Sequence, residues 1–429
     1  MCIRDRGYVG LVLLSLMLHL WMLGNMAMHH DESIHAYTSW KFYTGQGGFS
    51  CGLNNATADT YCYNPVFHGP TLYLLTYLSY FLFGVSDATA RLPMALAGVG
   101  LVASCWMLRP LVGRRAALFS AGLILISPTI LYFTRFARHD ALALLWTFWL
   151  MVGLFRFMRD RQGRWLYLAA AALALLWATH ELVFIIMFIA ATFLVQRLLW
   201  ESISNRVFVI VSGIAMAVGG VLMLFNPTIS LPTAVGQTAN VLHFGGMGLI
   251  IFMTLLLGQV ISLRWTTTPL VRNALGYLHD NSRVFWIAMA VFWLVFTVCF
   301  TTFFTYLRGF GDGLVAGISY WLFTQHSYAR GDQPWYYYFM QLGIYELLPI
   351  VLTFVGLGGW LARIAWRKAV TTSTLWDEDD DAAVAANSAA GETGNLARVD
   401  LDSLLEQNPV VYSAEALPAA TAPQAATAV

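Results

Sequence analysis

Thr71-Leu-Tyr-Leu-Leu-Thr-Tyr-Leu-Ser-Tyr-Phe-Leu-Phe-Gly84 is the stretch on which the fold turns. A helix needs about 20 apolar residues to cross the hydrocarbon of a bilayer. Segment 71–84 is apolar but short, and its reading sets the parity of the chain. If it crosses, every later loop changes side; if it lies along one face, every later loop stays.

The question arises because the rest of the chain is so apolar. Of 429 residues, 58% are hydrophobic and only 11% charged, and mean hydropathy is +0.63. An ordinary soluble domain carries about 25% charged residues. Sixteen Trp, 19 Tyr and 28 Phe deepen the contrast. Disorder needs low hydrophobicity, so most of the chain is ordered. A net charge of +1 offers no field for a nucleic-acid partner. The composition describes an all-α polytopic membrane protein.

Apolar runs long enough to span lie at roughly 8–28, 89–108, 115–133, 140–158, 162–179, 181–200, 207–225, 241–262, 284–307 and 346–366. The first is too long for a signal-peptide core and lacks a small-residue cleavage site, so it reads as a retained span. Lys and Arg collect in cytoplasmic loops. With the N-terminus inside and 71–84 not crossing, the loops at 4–6, 109–115, 156–164, 197–206, 264–283 and 363–368 hold 17 of the 24 basic residues. Six fall outside: Lys41, Arg91, Arg135, Arg138, Arg308 and Arg330. Letting 71–84 cross reverses that bias. The expected architecture is therefore about ten transmembrane helices with both ends cytoplasmic, and 71–84 as a half-buried surface helix at the outer interface.

The expected segments are a first transmembrane helix at 1–28, a first outer loop at 29–88 that includes the surface helix, and a bundle at 89–366 with outer loops at 134–140, 226–240 and 308–345. A disordered acidic cytoplasmic tail covers 367–429. Cys51 and Cys62 share the first polar loop, where a disulfide and two free thiols are equally open readings. Asn55-Ala56-Thr57 is a weak glycosylation sequon.

The same parity sends most ionisable groups outward, to helix mouths, where charge beside lipid is costly unless it serves a site. His29-His30-Asp31-Glu32-Ser33-Ile34-His35 follows the first span. Its carboxylates offer a general base tuned by desolvation, or a helix N-cap with solvated charges. His30 and His35 flank them, so ligation of a divalent metal by His30, Asp31 and Asp140 is compatible with the pattern. His68 before Gly69-Pro70 suits a phosphate or a substrate hydroxyl, and equally an ordinary loop. In Arg135-Phe136-Ala137-Arg138-His139-Asp140, Arg138 has a fork matched to phosphate oxygens. Asp140 would orient it, bind a metal or contact a sugar; a plain local ion pair is the other reading. His180-Glu181 interrupts a long apolar stretch and reads as a tight outer turn facing the site, or as a polar kink. The last outer loop carries His326, Arg330 and Trp335-Tyr336-Tyr337-Tyr338. These aromatic residues suit an interfacial belt or a sugar-stacking surface. Glu346 opens the final span.

At these residues the chain resembles the GT-C membrane glycosyltransferases, which use a polyprenyl-phosphate sugar donor. That group includes protein O-mannosyltransferases, the aminoarabinose transferase of lipid A and RgtA-like enzymes. The resemblance rests on Asp31-Glu32, on His68-Gly69-Pro70-Thr71-Leu72-Tyr73, on Phe83 to Pro93 and on Arg135 to Asp140, and covers about residues 8–366. The stretch from His326 to Tyr338 resembles the flippase-activity-associated subfamily. The resemblance implies a GT-C-like helical bundle at the plasma membrane, with its site on the extracytoplasmic face. It implies Asp31, with Glu32 beside it, as catalytic base or acceptor-site acid, and Asp140 as the second-loop acid. Phosphate contacts would come from basic residues of the outer loops. The expected reaction is transfer of a sugar to a lipid, glycan or protein hydroxyl, with Arg138, His180, Glu181, His326 and Arg330 around the donor. Tyr336, Glu346, His30, His35 and His68 would line the substrate path. The alternative is a flippase component for a polyprenyl-linked glycan, or a non-catalytic lipid-binding scaffold.

Overall fold

A computed structural model describes residues 3–46, 63–202, 205–225, 230–232, 238–240, 245–250, 252–253, 269–320 and 337–363. Cys51, Cys62, the sequon, His326, Arg330, Tyr336 and the tail lie outside the described residues.

The described chain is helical apart from one short antiparallel pairing, Ser230–Pro232 with Thr238–Asn240. Helix α1 (Ile3–Leu20) leads to α2 (His30–Tyr43), α3 (Thr71–Phe83) and α4 (Asp87–Ser104). The short α5 (Arg109–Val112) precedes α6 (Arg114–Ile126), α7 (Pro128–Phe133), α8 (Asp140–Asp160), α9 (Gly163–Trp177), α10 (Leu182–Ser202) and α11 (Asn205–Phe225). Beyond the hairpin come α12 (Leu270–Asp280), α13 (Ser282–Phe300), α14 (Gly309–Ser319) and α15 (Tyr337–Tyr345). The chain divides into two units, Met1–Ile350 and Val351–Val429; in the second, residues 351–363 are helical.

Three helical stretches among the described residues are long and apolar enough to cross a membrane: Asp87–Val112, Asp140–Asp160 and Ser282–Phe300. Others, such as Gly163–Trp177 and Leu182–Leu198, are apolar but shorter. Large hydrophobic side chains stand open on their outer faces, with Phe119 at 73%, Leu224 at 83% and Trp286 at 66% exposure. Water would penalise that surface by roughly 25 cal/mol per Å², whereas lipid accepts it. The chain is an all-α integral membrane protein.

Between helices in lipid, packing rather than the hydrophobic effect supplies cohesion, so small residues occupy the crossings. Helix α8 packs on α9, and α9 on α13. At the α8–α9 crossing Gly153 lies against the Trp165 carbonyl and Ala169, where an added Cβ would meet backbone at 2.9 Å. Gly98 of α4 makes the same close approach to the buried His19 ring of α1.

Segment 71–84 is the helix α3, about 20 Å long at 1.5 Å per residue and thus short of the hydrocarbon thickness. It is half-buried: Leu72, Tyr73, Thr76 and Tyr80 face protein, while Leu78, Phe81, Leu82 and Phe83 are exposed. Helices stand where the sequence reading placed loops: α2 and α12, and also α14 and α15 within the expected outer loop 308–345. The run after the first span folds as α2, started by a reciprocal cap in which Asp31 N–H donates to His29 Nδ1 and His29 N–H to the Glu32 carboxylate. The N-cap reading of Asp31-Glu32 is therefore real, although only Glu32 spends its carboxylate there. In helix α12, Val271 and Arg272 N–H at its first turn donate to Glu201 of α10 (3.2 and 2.8 Å). A carboxylate there satisfies orphan donors and the helix dipole together.

Candidate functional site

Consecutive residues on a helix point about 100° apart, and α2 uses that to separate its two acids. Glu32 turns inward and is 1% exposed. Arg91 of α4 grips it twice, Nε to Oε1 at 2.7 Å and Nη2 to Oε2 at 2.8 Å. Ala137 N–H (2.8 Å) and His29 N–H (3.1 Å) also donate to it. Burial works to raise the Glu32 carboxyl, but the bonds from Arg91, Ala137 and His29 prevail and hold it below the ordinary carboxylate range. Arg91 spends its remaining donors on the carbonyls of Leu23, Met26 and Ala27. This buried pair ties the exit of α1 to α2, α4 and the loop before α8. Glu32 is thus a positioning acid, not the catalytic base proposed from its place beside Asp31: with its oxygens engaged and water excluded, it cannot reach an acceptor proton.

Asp31 faces the other way and is partly open. Arg138 bridges it to Asp140, with Nη1 to Asp31 Oδ2 at 3.2 Å and Nε to Asp140 Oδ2 at 3.3 Å. Two acids 109 positions apart in sequence therefore meet on one guanidinium. A metal held by His30, Asp31 and Asp140 does not fit this arrangement, because the Arg138 cation sits between the two acids, and His30 is exposed on the first turn of α2.

Beside this triad four histidines converge. His35 and His139 meet edge to face at 4.9 Å between centroids, His68 and His139 at 5.2 Å, and His68 stacks on His180 at 4.3 Å. His35 Nδ1 lies 2.7 Å from the Tyr73 hydroxyl, which itself donates to the Phe67 carbonyl (3.1 Å). The hydroxyl has one hydrogen, so His35 Nδ1 carries the proton in that bond and Nε2 keeps the lone pair. Burial, with His68 and Arg138 adding to it, pushes His35 down to about 4. Burial takes His180 to about 4 as well, and holds the fully enclosed His139 well below its usual value. His35, His139 and His180 are therefore neutral at pH 7.

The sign for His35 is fixed by that depression. Between about pH 6.5 and 4 the unfolded chain binds a proton that the folded chain refuses, so stability is complete above 6.5 and declines as pH falls. Each such histidine contributes a slope of about 1.4 kcal/mol per pH unit in that window. Thermal unfolding of the wild type and His35→Gln at pH 7 and pH 5 checks this: the variant should lose less on acidification. An equal loss in both proteins rejects the assignment.

Gly69 brings the parts together. Its N–H donates to Thr179 O and Thr71 N–H to Ala178 O, both at 3.0 Å, pinning the loop before α3 onto the turn after α9. Gly69 O lies 3.1 Å from His139 Nε2. A Cβ on Gly69 would stand 2.1 Å from the Ala178 carbonyl oxygen. Gly69→Ala should therefore cost at least the 1–3 kcal/mol typical of overpacking and separate His68 from Glu181. A melting temperature within about a degree of wild type would refute the close approach; ~1 kcal/mol moves the midpoint by a few degrees even in a large domain. The same docking holds His68 at φ +66°, ψ −165°, a region costly for any side chain. Its anchor is Glu181, whose Oε2 is 2.6 Å from His68 Nδ1, with Tyr63 OH 3.4 Å from Oε1. The turn reading of His180-Glu181 is what the structure has: α9 ends at Trp177 and α10 starts at Leu182.

Glu346 is elsewhere engaged. Its Oε1 accepts from Ser127 Oγ (2.6 Å) and Thr129 N–H (3.1 Å), capping α7. The substrate role proposed for it gives way to that cap, since the carboxylate satisfies donors a helix start leaves unpaired. Sequence reasoning missed Arg91, Tyr73 and His139 as site-builders. Arg91 was findable: an arginine inside an apolar helix is costly without a partner. Tyr73 and His139 carry no such mark.

Residues 67–230 match the family model described as Dolichyl-phosphate-mannose-protein mannosyltransferase. No curated protein matches the chain. Among solved structures, the oligosaccharyltransferase AglB of Archaeoglobus fulgidus, in complex with an inhibitory peptide and a dolichol-phosphate, is similar at 15% identity and TM-score 0.36. That similarity covers 74% of this chain and 39% of that one. The apo form of the A. fulgidus oligosaccharyltransferase is similar at 17% identity and TM-score 0.38, covering 78% and 40%. The chain thus spans about two fifths of the length of those structures. The family match takes in His68, Gly69, Arg91, Arg138, His139, Asp140, His180 and Glu181, so through residues 67–230 this chain is similar to that mannosyltransferase family.

Proposed function

We propose that the chain transfers a sugar from a polyprenyl-phosphate donor to a hydroxyl of a lipid, glycan or protein acceptor, on the extracytoplasmic face of the plasma membrane. One observation carries the reading: Asp31 and Asp140, from α2 and α8, meet on Arg138 beside the histidine cluster. Arg138 has five N–H donors in a planar fork. A donor phosphate competes for them and draws the guanidinium from Asp31. The freed carboxylate is then a base for the acceptor hydroxyl, whose oxygen attacks the anomeric carbon as the bond to the phosphate breaks. Charge grows on the departing phosphate, where Arg138, held by Asp140, stabilises it. The neutral imidazoles of His35, His139 and His180 add hydrogen bonds without an anion of their own. His326, Arg330 and Tyr336 belong to the same proposal as donor and sugar contacts from the last outer loop.

The test is incubation of the purified chain in lipid nanodiscs with a panel of polyprenyl-phosphate sugars, following release of polyprenyl phosphate. Release with one or more donors supports the reading, and none with any donor and acceptor overturns it. The face is checked separately: a cysteine at exposed Ser33, labelled from outside intact cells by an impermeant reagent, supports the extracytoplasmic assignment, and labelling only after permeabilisation reverses it.

A further inference from the structure

We propose that His68, His180 and Glu181 form a binding site for a divalent transition ion of the zinc class. One ligand atom from each lies within 4.8 Å of the others, and no other such group of three occurs among the described residues. The donor set is two imidazoles and one carboxylate, the composition zinc accepts while leaving a fourth position open.

The spacing is close to what coordination requires. Zinc bonds of about 2.0–2.1 Å in a tetrahedron separate neighbouring donor atoms by roughly 3.3 Å. Here His68 Nδ1 and Glu181 Oε2 are 2.6 Å apart, and His180 Nδ1 and Glu181 Oε2 3.6 Å, on either side of that value. Without an ion, a hydrogen bridges His68 and Glu181. On binding, the ion takes that hydrogen's place at Nδ1, and the single proton of the neutral His68 ring moves to Nε2. Leu182 N–H points at His180 Nδ1 (3.1 Å), so that atom already presents a lone pair, and the ion competes with one backbone hydrogen bond.

The surroundings argue in the same direction. Glu181 is buried at 4% exposure, and His68 adopts its costly backbone geometry while reaching it. Ligands fixed by outer partners bind more tightly, and Tyr63 OH reaches the second Glu181 oxygen. The loop that carries His68 is pinned to the turn that carries His180 by Gly69 and Thr71, so the three ligands are pre-assembled from segments 112 positions apart. The site is separate from Asp31 and Asp140, whose shared partner is Arg138. It does not depend on the transfer reaction.

The experiment is a Co²⁺ titration of the purified full chain, read by visible absorption, followed by Zn²⁺ competition and metal analysis after dialysis. One ion per chain is expected, displaced by Zn²⁺. Removing an outer-shell partner alone typically costs 10–100-fold in affinity, so His180→Ala and Glu181→Gln, which remove ligands, should each weaken binding by at least that. Glu181→Asp, which keeps the carboxylate, tests the site if either of those fails to fold. Asp31→Asn should bind as the wild type does. Absence of stoichiometric binding by the folded wild type overturns the proposal, as does binding unchanged in the ligand variants. So does loss of the ion in Asp31→Asn with the ligand variants unaffected, which would move the site to the other acids.

Discussion

Asp31→Asn is expected to lower sugar transfer by at least two to four orders of magnitude, the range that a positioned general base supplies, with the melting temperature unchanged. Stability should be indifferent because the Asp31 side chain is 38% exposed and its ion pair with Arg138 is open to solvent. Such pairs contribute about 0–1 kcal/mol. The amide is nearly isosteric and can still accept a hydrogen bond from Arg138, so the donor site persists while the base is gone. The measurement is turnover of polyprenyl-phosphate sugar with a saturating acceptor, beside a thermal melt of the same preparation. Transfer at the wild-type rate would remove Asp31 from the chemistry. Arg138→Lys separates the two partners of the triad: lysine keeps the charge but loses the fork, so donor affinity should fall more than the turnover of bound donor.

Glu32→Ala should behave in the opposite sense. The expected result is a destabilised protein, by about 3–5 kcal/mol, because breaking a buried pair from one side leaves the other charge uncompensated. Arg91 would remain at 2% exposure with its Nε and one Nη2 bond lost, and Ala137 and His29 N–H would lose an acceptor. Activity per folded molecule should drop only as far as Asp31 is displaced by loosening of α2. Replacing both partners, Glu32→Met with Arg91→Met, should recover part of the stability, since the charge left behind is then also removed. Differential scanning of the single and double variants decides it. A single variant melting like wild type would show that Glu32 does not hold this junction.

Asp31 and Glu32 illustrate how far the sequence could be read. They are adjacent, identical in chemistry and equally placed after the first span, so both entered the sequence reading as candidate bases. Only the helix phase separates them, and α2 itself was not marked, because its apolar residues do not follow a clear stripe. The paired roles became visible once Arg91, 59 positions away, was seen to take one acid, and Arg138 the other. Glu346 shows the same limit: a carboxylate at the mouth of a span looks like a site residue until the start of α7 is found against it.

What the sequence determined unaided was the class. Composition alone puts the chain in a membrane, since 58% hydrophobic residues cannot be hidden from water in a chain of this size. Length made the 71–84 stretch doubtful as a span, because a fixed rise per residue meets a fixed bilayer thickness, and the Lys and Arg bias turned that doubt into the expectation of a surface helix. The tertiary structure decided which side chains meet. His68 and Glu181 touch because Gly69 lets one backbone rest on another, and a contact between segments over a hundred positions apart leaves no period or spacing in the chain to be read.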